Sequence, residues 1–326
     1  MNSNPEAFIC QATNSNKVVH REDIQALWSD YGVITRFFLE GGNYESVVVK
    51  RIFLKKAGDH PRGWNTNVSH QRKLKSYEVE FNWYQHYAKQ CDENCALPAY
   101  IDSTDFSDER LLIIEDLNAI GYPLRKSTVD LSEIKSCLKW LAAFHAKFMH
   151  VESEGLWDKG SYWYLQTRMD EYEAMQDEEL KNVAFEIDRV LDNCQYKTVI
   201  HGDAKLANFC FSEDGQSVAA VDFQYVGKGS GMKDVAYFLS SCLTEDQLIQ
   251  NEKSLLKYYF NQLEVSLSNE GLDIDSQLVI KEWGELYNYA WADFYRFLDG
   301  WSPQHWKIHR YSKQIRDQVI KSFKSI

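Results

Sequence analysis

The stretch Val199–Gln224, VIHGDAKLANFCFSEDGQSVAAVDFQ, sets His201, Asp203, Lys205, Asn208 and Asp222 in polar breaks beside short apolar runs. Packing alone gives no reason for that choice. Phosphoryl transfer does, because it needs oxygen ligands for a metal ion, a carboxylate to take the proton of an attacking hydroxyl, and a cation on phosphate oxygens. In HGDAKLAN, Asp203 is the candidate base, Lys205 the phosphate contact, and Asn208, five positions after Asp203, a side-chain carbonyl for Mg2+. Asp222, in VAAVDFQ, would be a second metal ligand.

These residues need two kinds of scaffold. Between Ile24 and Phe53 the segments IQALWSDY, VITRFFLE and SVVVKRIF read as an antiparallel meander broken by SDYG and GGN. KKAGDHPRGWNTN reads as a loop. A helix follows over 69–89, with Leu74, Tyr77, Phe81, Tyr84 and Ala88 on one face. AYIDSTDFSDERLLIIEDL reads as a hairpin. Beyond Leu117 the texture becomes helical: a helix over 132–149, helical character over 164–190, strand-like runs around 199–225, and helix again from Lys233 to the end. Strands first and helices after predict an α+β protein of two lobes, with a boundary near 116–125.

Composition bounds the partners. A 326-residue chain with 44% apolar and 26% charged residues has material for a sizeable core. Its net charge of −12 argues against nucleic acid. Seven scattered cysteines suit reduced thiols. The opening MNSNPEAFICQATNS shows no basic or apolar leader, and no run is long enough to span a bilayer, so no membrane partner and a cytoplasmic protein are expected.

The Asp203-to-Asn208 spacing is that of the protein-kinase catalytic loop, with Gly202 where that loop has arginine, and Asp222-Phe223-Gln224 stands where kinases carry DFG. With VVVKRI, LLIIEDL, LAAFHA and MKDVAYFL in order, the chain resembles the aminoglycoside phosphotransferase and choline kinase branch of the protein-kinase-like fold. Within that branch it most resembles the ecdysteroid-kinase-like subgroup. The resemblance implies a small antiparallel-sheet N-lobe with one helix, residues 1–117, that binds nucleotide. It implies a larger, mostly helical C-lobe, residues 118–326, that carries catalysis and the acceptor site. It further implies ATP and Mg2+ as cofactors and a small-molecule hydroxyl as acceptor.

The resemblance also assigns residues. Lys50 is the strand lysine, and strand alternation turns it and Arg51 to opposite faces. Glu80 is its favoured helix partner and Glu78 the alternative. The backbones of Glu115 and Leu117 would meet the adenine. His201 and Asp234 would hold the catalytic loop. The phosphate-covering loop departs from the kinase pattern, since SDYGVI offers only Gly32, with Ser29 and Tyr31 as weak candidates. Trp283, Tyr287, Trp291 and Tyr295 share a helix face, read first as core and otherwise as a cage for a quaternary ammonium. The acidic run MDEYEAMQDEEL reads as a solvated helix face. HWKIH and CDENC lack the further ligands of a zinc site.

Overall fold

The computed structural model describes residues 4–27, 31–53, 66–106 and 108–324. Its N-lobe is a five-stranded antiparallel sheet: β1 (Lys17–Ala26), β2 (Gly32–Glu40), β3 (Ser46–Phe53), β4 (Tyr100–Asp105) and β5 (Glu109–Glu115), in spatial order β1-β2-β3-β5-β4. Gly41 and Gly42, both at positive φ, turn β2 into β3. Alternation along β3 splits its side chains. Val47 and Val49 join Phe37, Leu39, Leu111 and Ile113 under a helix α1 (Pro5–Thr13), while Lys50 and Ile52 face the molecule's main core. That helix is capped by Asn4, whose side chain accepts from the Glu6 amide. It was not expected from the sequence, so the N-lobe holds two helices rather than one. β1 also begins earlier than expected and ends at Ala26 rather than running to Tyr31.

The second N-lobe helix is α2 (Thr66–Asn82), continued by a wide turn at Trp83–Tyr87. Tyr77, Phe81, Tyr84 and Ala88 are buried as expected, and Leu74 is half-buried. Glu80 is 2% exposed whereas Glu78 is exposed.

Asp116 pins the connection between the lobes. Its carboxylate accepts from Arg36 Nε and Ser46 Oγ, each at 2.7 Å, and from the Asn118 amide at 3.1 Å. After a short β6 (Leu124–Arg125) comes α3 (Leu131–Lys147), opened by an Asp130/Glu133 capping box. The expected helical region 164–190 is broken into short pieces, α4 (Met169–Glu173), α5 (Glu178–Asn182) and α6 (Ala184–Asp192). Caps explain the break between α4 and α5: Asp177 accepts from the Leu180 amide, and Asp299 from the amides of Gln176 and Asp177. Short strands β7 (Thr198–Ile200), β8 (Phe209–Phe211), β9 (Val218–Ala220) and β10 (Gly227–Gly229) carry the site loops. Then α7 (Met232–Cys242), α8 (Glu245–Asn269), α9 (Ser276–Trp301) and α10 (Arg310–Lys324) complete the C-lobe. No helix among the described residues is long and apolar enough to cross a membrane.

The C-terminal aromatic stripe packs the core. Trp283, Tyr287, Trp291 and Tyr295 are each at most 4% exposed, and the indole of Trp283 donates to the Tyr196 carbonyl. They form no open cage for a cation. His305 and His309 lie in the irregular stretch before α10, and no group of three metal-ligating His, Cys, Asp or Glu side chains occurs among the described residues.

Candidate active site

The loop after β7 turns sharply at Gly202, whose φ is 75°. A Cβ there would lie 2.1 Å from the Tyr225 carbonyl oxygen, so only glycine fits. Asp234, fully buried at the start of α7, ties the loop down by accepting from the amides of His201 at 2.6 Å and Gly202 at 2.9 Å, and it lies 3.2 Å from His145 Nε2. His201 Nε2 reaches the Val221 carbonyl at 3.0 Å, which links the two motif loops.

On this base Asp203, 5% exposed, pairs with Lys205 at 2.8 Å. Burial pushes the Asp203 carboxyl upward, with Lys205 pulling the other way and the Asp222 carboxylate adding to the rise. Asn208 is oriented by its own amide nitrogen, which donates to the Asp203 carbonyl at 2.8 Å and carboxylate at 3.1 Å. Its amide oxygen receives no hydrogen bond from the described residues, so the acceptor end of the group is free.

Asp222 adopts φ 70°, a left-handed conformation that costs a non-glycine residue energy. Its side chain keeps 33% exposure and lies 3.4 Å from Lys50 Nζ. Burial works against ionisation, but Lys50, Lys205 and Lys73 outweigh it and hold the carboxyl down at about 2. Phe223 behind it stacks on Trp83 at 4.9 Å and packs on His201, which fixes the loop in the core.

Lys50 donates to Glu80 at 2.6 Å. Burial alone would depress the Lys50 pKa, yet Glu80 and Asp222 raise it, so the ammonium persists in a nearly dry site. Arg51 points the other way, to Glu109 at 2.8 Å. At the lobe connection the Glu115 amide donates to the Ala99 carbonyl and the Leu117 carbonyl accepts from Tyr122, both at 2.9 Å. The Leu117 amide has no acceptor among the described residues.

Lys50, Glu80, Asp203, Lys205, Asn208 and Asp222 thus share one electrostatic neighbourhood. Gly32 does not join them. A Cβ on it would meet the Arg51 carbonyl oxygen at 1.9 Å, so this glycine serves the close approach of β2 to β3. Tyr31 bonds to His70 and stays with α2, while Ser29 lies outside the described residues. A pocket of about 770 Å3 opens elsewhere, on the outer side of α2 between Leu74, Glu78, Arg110 and Trp157.

Three groups at the site have no counterpart among the sequence candidates. Gln224 Nε2 donates to Asp222 Oδ1 at 2.6 Å, while its Oε1 accepts from Lys73 Nζ at 3.2 Å and Ser76 Oγ at 3.1 Å. One amide therefore bridges the Asp222 loop to α2. Lys73 sits seven positions before Glu80 on the same helix face, a spacing that could have revealed it. Tyr237, three positions after Asp234, packs on Tyr162 at 5.5 Å, and burial first, then the Asp203 carboxylate, raise its pKa.

Two lobes, a pinned connection and this cleft define the protein-kinase-like fold. Within it, residues 163–271 match the ecdysteroid kinase-like family, the segment that holds Asp203, Asn208, Asp222 and Asp234. The structure is similar to the GDP complex of aminoglycoside 2'-phosphotransferase-IIIa, with 11% identity, 98% of this chain and 100% of that chain covered, and a TM-score of 0.50. Type VIII aminoglycoside-3'-phosphotransferase is 14% identical over 82% of this chain and 93% of that one, with a TM-score of 0.46. Plasmodium vivax ethanolamine kinase is 12% identical over 94% and 84%, with a TM-score of 0.45. No curated protein matches the chain in sequence. The resemblance read from the motifs is thereby shown, and at these identities the structural likeness speaks to fold.

Proposed function

We propose that the protein is a small-molecule kinase that moves the γ-phosphate of ATP to a hydroxyl of a metabolite or xenobiotic, with a choline-, sterol- or aminoglycoside-like alcohol as the acceptor classes. In this reading residues 1–117 bind nucleotide and residues 118–326 supply catalysis and the acceptor site. The observation that carries it is the joint placement of Asp203, Asn208 and Asp222 opposite the buried Lys50–Glu80 pair.

The donor set fits a divalent ion: Asp222 is ionised and partly open, and the Asn208 amide is turned with its oxygen free. Mg2+ bound there would neutralise charge on the phosphate oxygens. Lys50, held by Glu80, pairs the α- and β-phosphates. The Leu117 amide and the Glu115 carbonyl hold the adenine edge. Asp203 accepts the proton of the acceptor hydroxyl, and its upward-shifted pKa makes it a better base than an exposed carboxylate. Lys205 offsets charge on the γ-phosphate, and since it lies 2.8 Å from Asp203 it also keeps that carboxylate ionised between turnovers.

A screen of hydroxylated metabolites with ADP release as readout tests the reading, with Asp203→Asn as control. The variant is expected to bind MgATP like the wild type and to lose transfer by at least about a hundredfold. Equal turnover in the variant would remove Asp203 as base. A catalytically silent, ligand-binding kinase fold is the second reading, favoured by the missing glycine-rich loop. MgATP binding with no turnover on any acceptor would support it.

A further inference from the structure

Three lysines among the described residues are less than a tenth exposed: Lys50, Lys233 and Lys307. Lys50 has Glu80 at 2.6 Å and Lys233 has Asp293 at 3.2 Å. Lys307 has no carboxylate within ion-pair distance among the described residues. Its hydrogen-bond partner is the Ser240 hydroxyl at 3.3 Å, and its ammonium lies 4.8, 5.1 and 5.6 Å from the ring centres of Tyr237, Phe294 and Trp306. Burying an unpaired ammonium is costly, and ring contacts return only part of that cost. An ammonium has three donors, so two remain for another partner.

Its position says what that partner is. Lys307 lies over the face of Tyr237, whose ring packs on Tyr162 at 5.5 Å, and the Tyr162 amide donates to the carbonyl of Gly202, the neighbour of Asp203. Asp203 and Lys205 both act on its charge, and burial lowers its pKa to about 8. Trp306, beside it, is 58% exposed, and its ring continues a stack through His305 and Trp301 to Phe297. A hydroxyl reaching Asp203 from the Tyr162–Tyr237 side would bring its neighbouring atoms toward Lys307.

We propose that Lys307 reads the acceptor: it donates to an oxygen carried near the phosphorylated hydroxyl, and it excludes acceptors with a fixed positive charge. This rests on the kinase reading of Asp203. It narrows the acceptor classes by removing choline-like and aminoglycoside-like cations. An ammonium surrounded by rings that already face a cation leaves no surface for a second one, whereas an anionic or carbonyl oxygen supplies the missing partner.

Three probes of similar size test it: choline, 3,3-dimethylbutan-1-ol with carbon in place of its nitrogen, and hydroxypivalate with a carboxylate. Calorimetric binding to the MgADP-loaded protein is measured for the wild type and for K307M, which keeps the apolar stem. Hydroxypivalate is expected to bind the wild type at least about tenfold more tightly than choline. K307M should lose that preference while MgADP affinity and the thermal midpoint hold. Choline binding the wild type as well as hydroxypivalate, or an unchanged preference in K307M, would overturn the assignment. ADP release is read separately. The expected preference with no release on any alcohol of the wider screen sinks the kinase reading and leaves Lys307 as the oxygen contact, whereas release with choline preferred sinks Lys307 and supports the kinase reading.

Discussion

Removing either partner of the Lys50–Glu80 pair should not cost the same, and the difference follows from Asp222. Breaking a buried ion pair by deleting one side costs about 3–5 kcal/mol, because the survivor is left uncompensated. Glu80→Gln leaves Lys50 with Asp222 at 3.4 Å, and the new amide oxygen can still accept, so the loss should fall to about 1–3 kcal/mol. Lys50→Met instead leaves Glu80 and Asp222 facing each other with only the more distant Lys73 and Lys205 to offset them, which places it near about 4 kcal/mol. Glu80 already has a raised pKa, first through burial, with Lys50 opposing the rise. Without Lys50 that pKa climbs further. A carboxyl whose folded pKa exceeds its unfolded value of about 4.3 binds its proton more tightly when folded. The stability of K50M should therefore fall as pH rises from about 4.3 through the raised folded value, and return on acidification. Denaturant unfolding of both variants and the wild type at about pH 5 and about pH 8 reads this out. A K50M deficit no larger than that of E80Q at the higher pH, or one independent of pH, would refute the reasoning.

Two further predictions concern Gln224 and Glu252. Gln224→Ala cuts the bridge between Asp222 and α2 and should weaken MgADP binding about tenfold with little change in metal-free ADP binding, measured calorimetrically; equal losses in both would contradict it. Glu252 accepts from Tyr287 at 2.7 Å and also pairs with Tyr311, yet burial raises its pKa to about 7. A folded pKa above the unfolded one means that this carboxyl weakens the fold as pH rises from about 4.3 to about 7. Glu252→Gln should then stabilise the protein by about 1–2 kcal/mol at about pH 8, after discounting for partial exposure, and give no comparable gain at about pH 5. A gain equal at both values of pH, seen in denaturant titrations, would show that charge is not the cause.

The sequence was most informative where chemistry and periodicity coincide. Strand alternation separated Lys50 from Arg51, and the lysine's partner proved to be Glu80, buried where Glu78 is exposed. The aromatic stripe of α9 lies in the core, the first of its two readings. What stayed hidden was long-range. Helix α1 covers the outer face of β3, and nothing in nine residues declares that destination. The break between α4 and α5 depends on Asp299, more than a hundred residues away in sequence. Gln224 shows as a departure from DFG, but its bridge to Lys73 and Ser76 exists only once α2 docks. Lys307 sits in a stretch whose histidines draw the eye, and its meaning comes from the rings around it and from the lack, among the described residues, of a carboxylate within ion-pair distance.

Calorimetric titration of ADP, with and without Mg2+, into the wild type and Asp222→Asn tests the central claim most directly. The account predicts Mg2+-dependent binding to the wild type and a loss of at least about tenfold in the variant, confined to the titration with metal. Nucleotide binding that ignores Mg2+, or equal affinity in the two proteins, would contradict a metal-nucleotide site at Asp222 and Asn208.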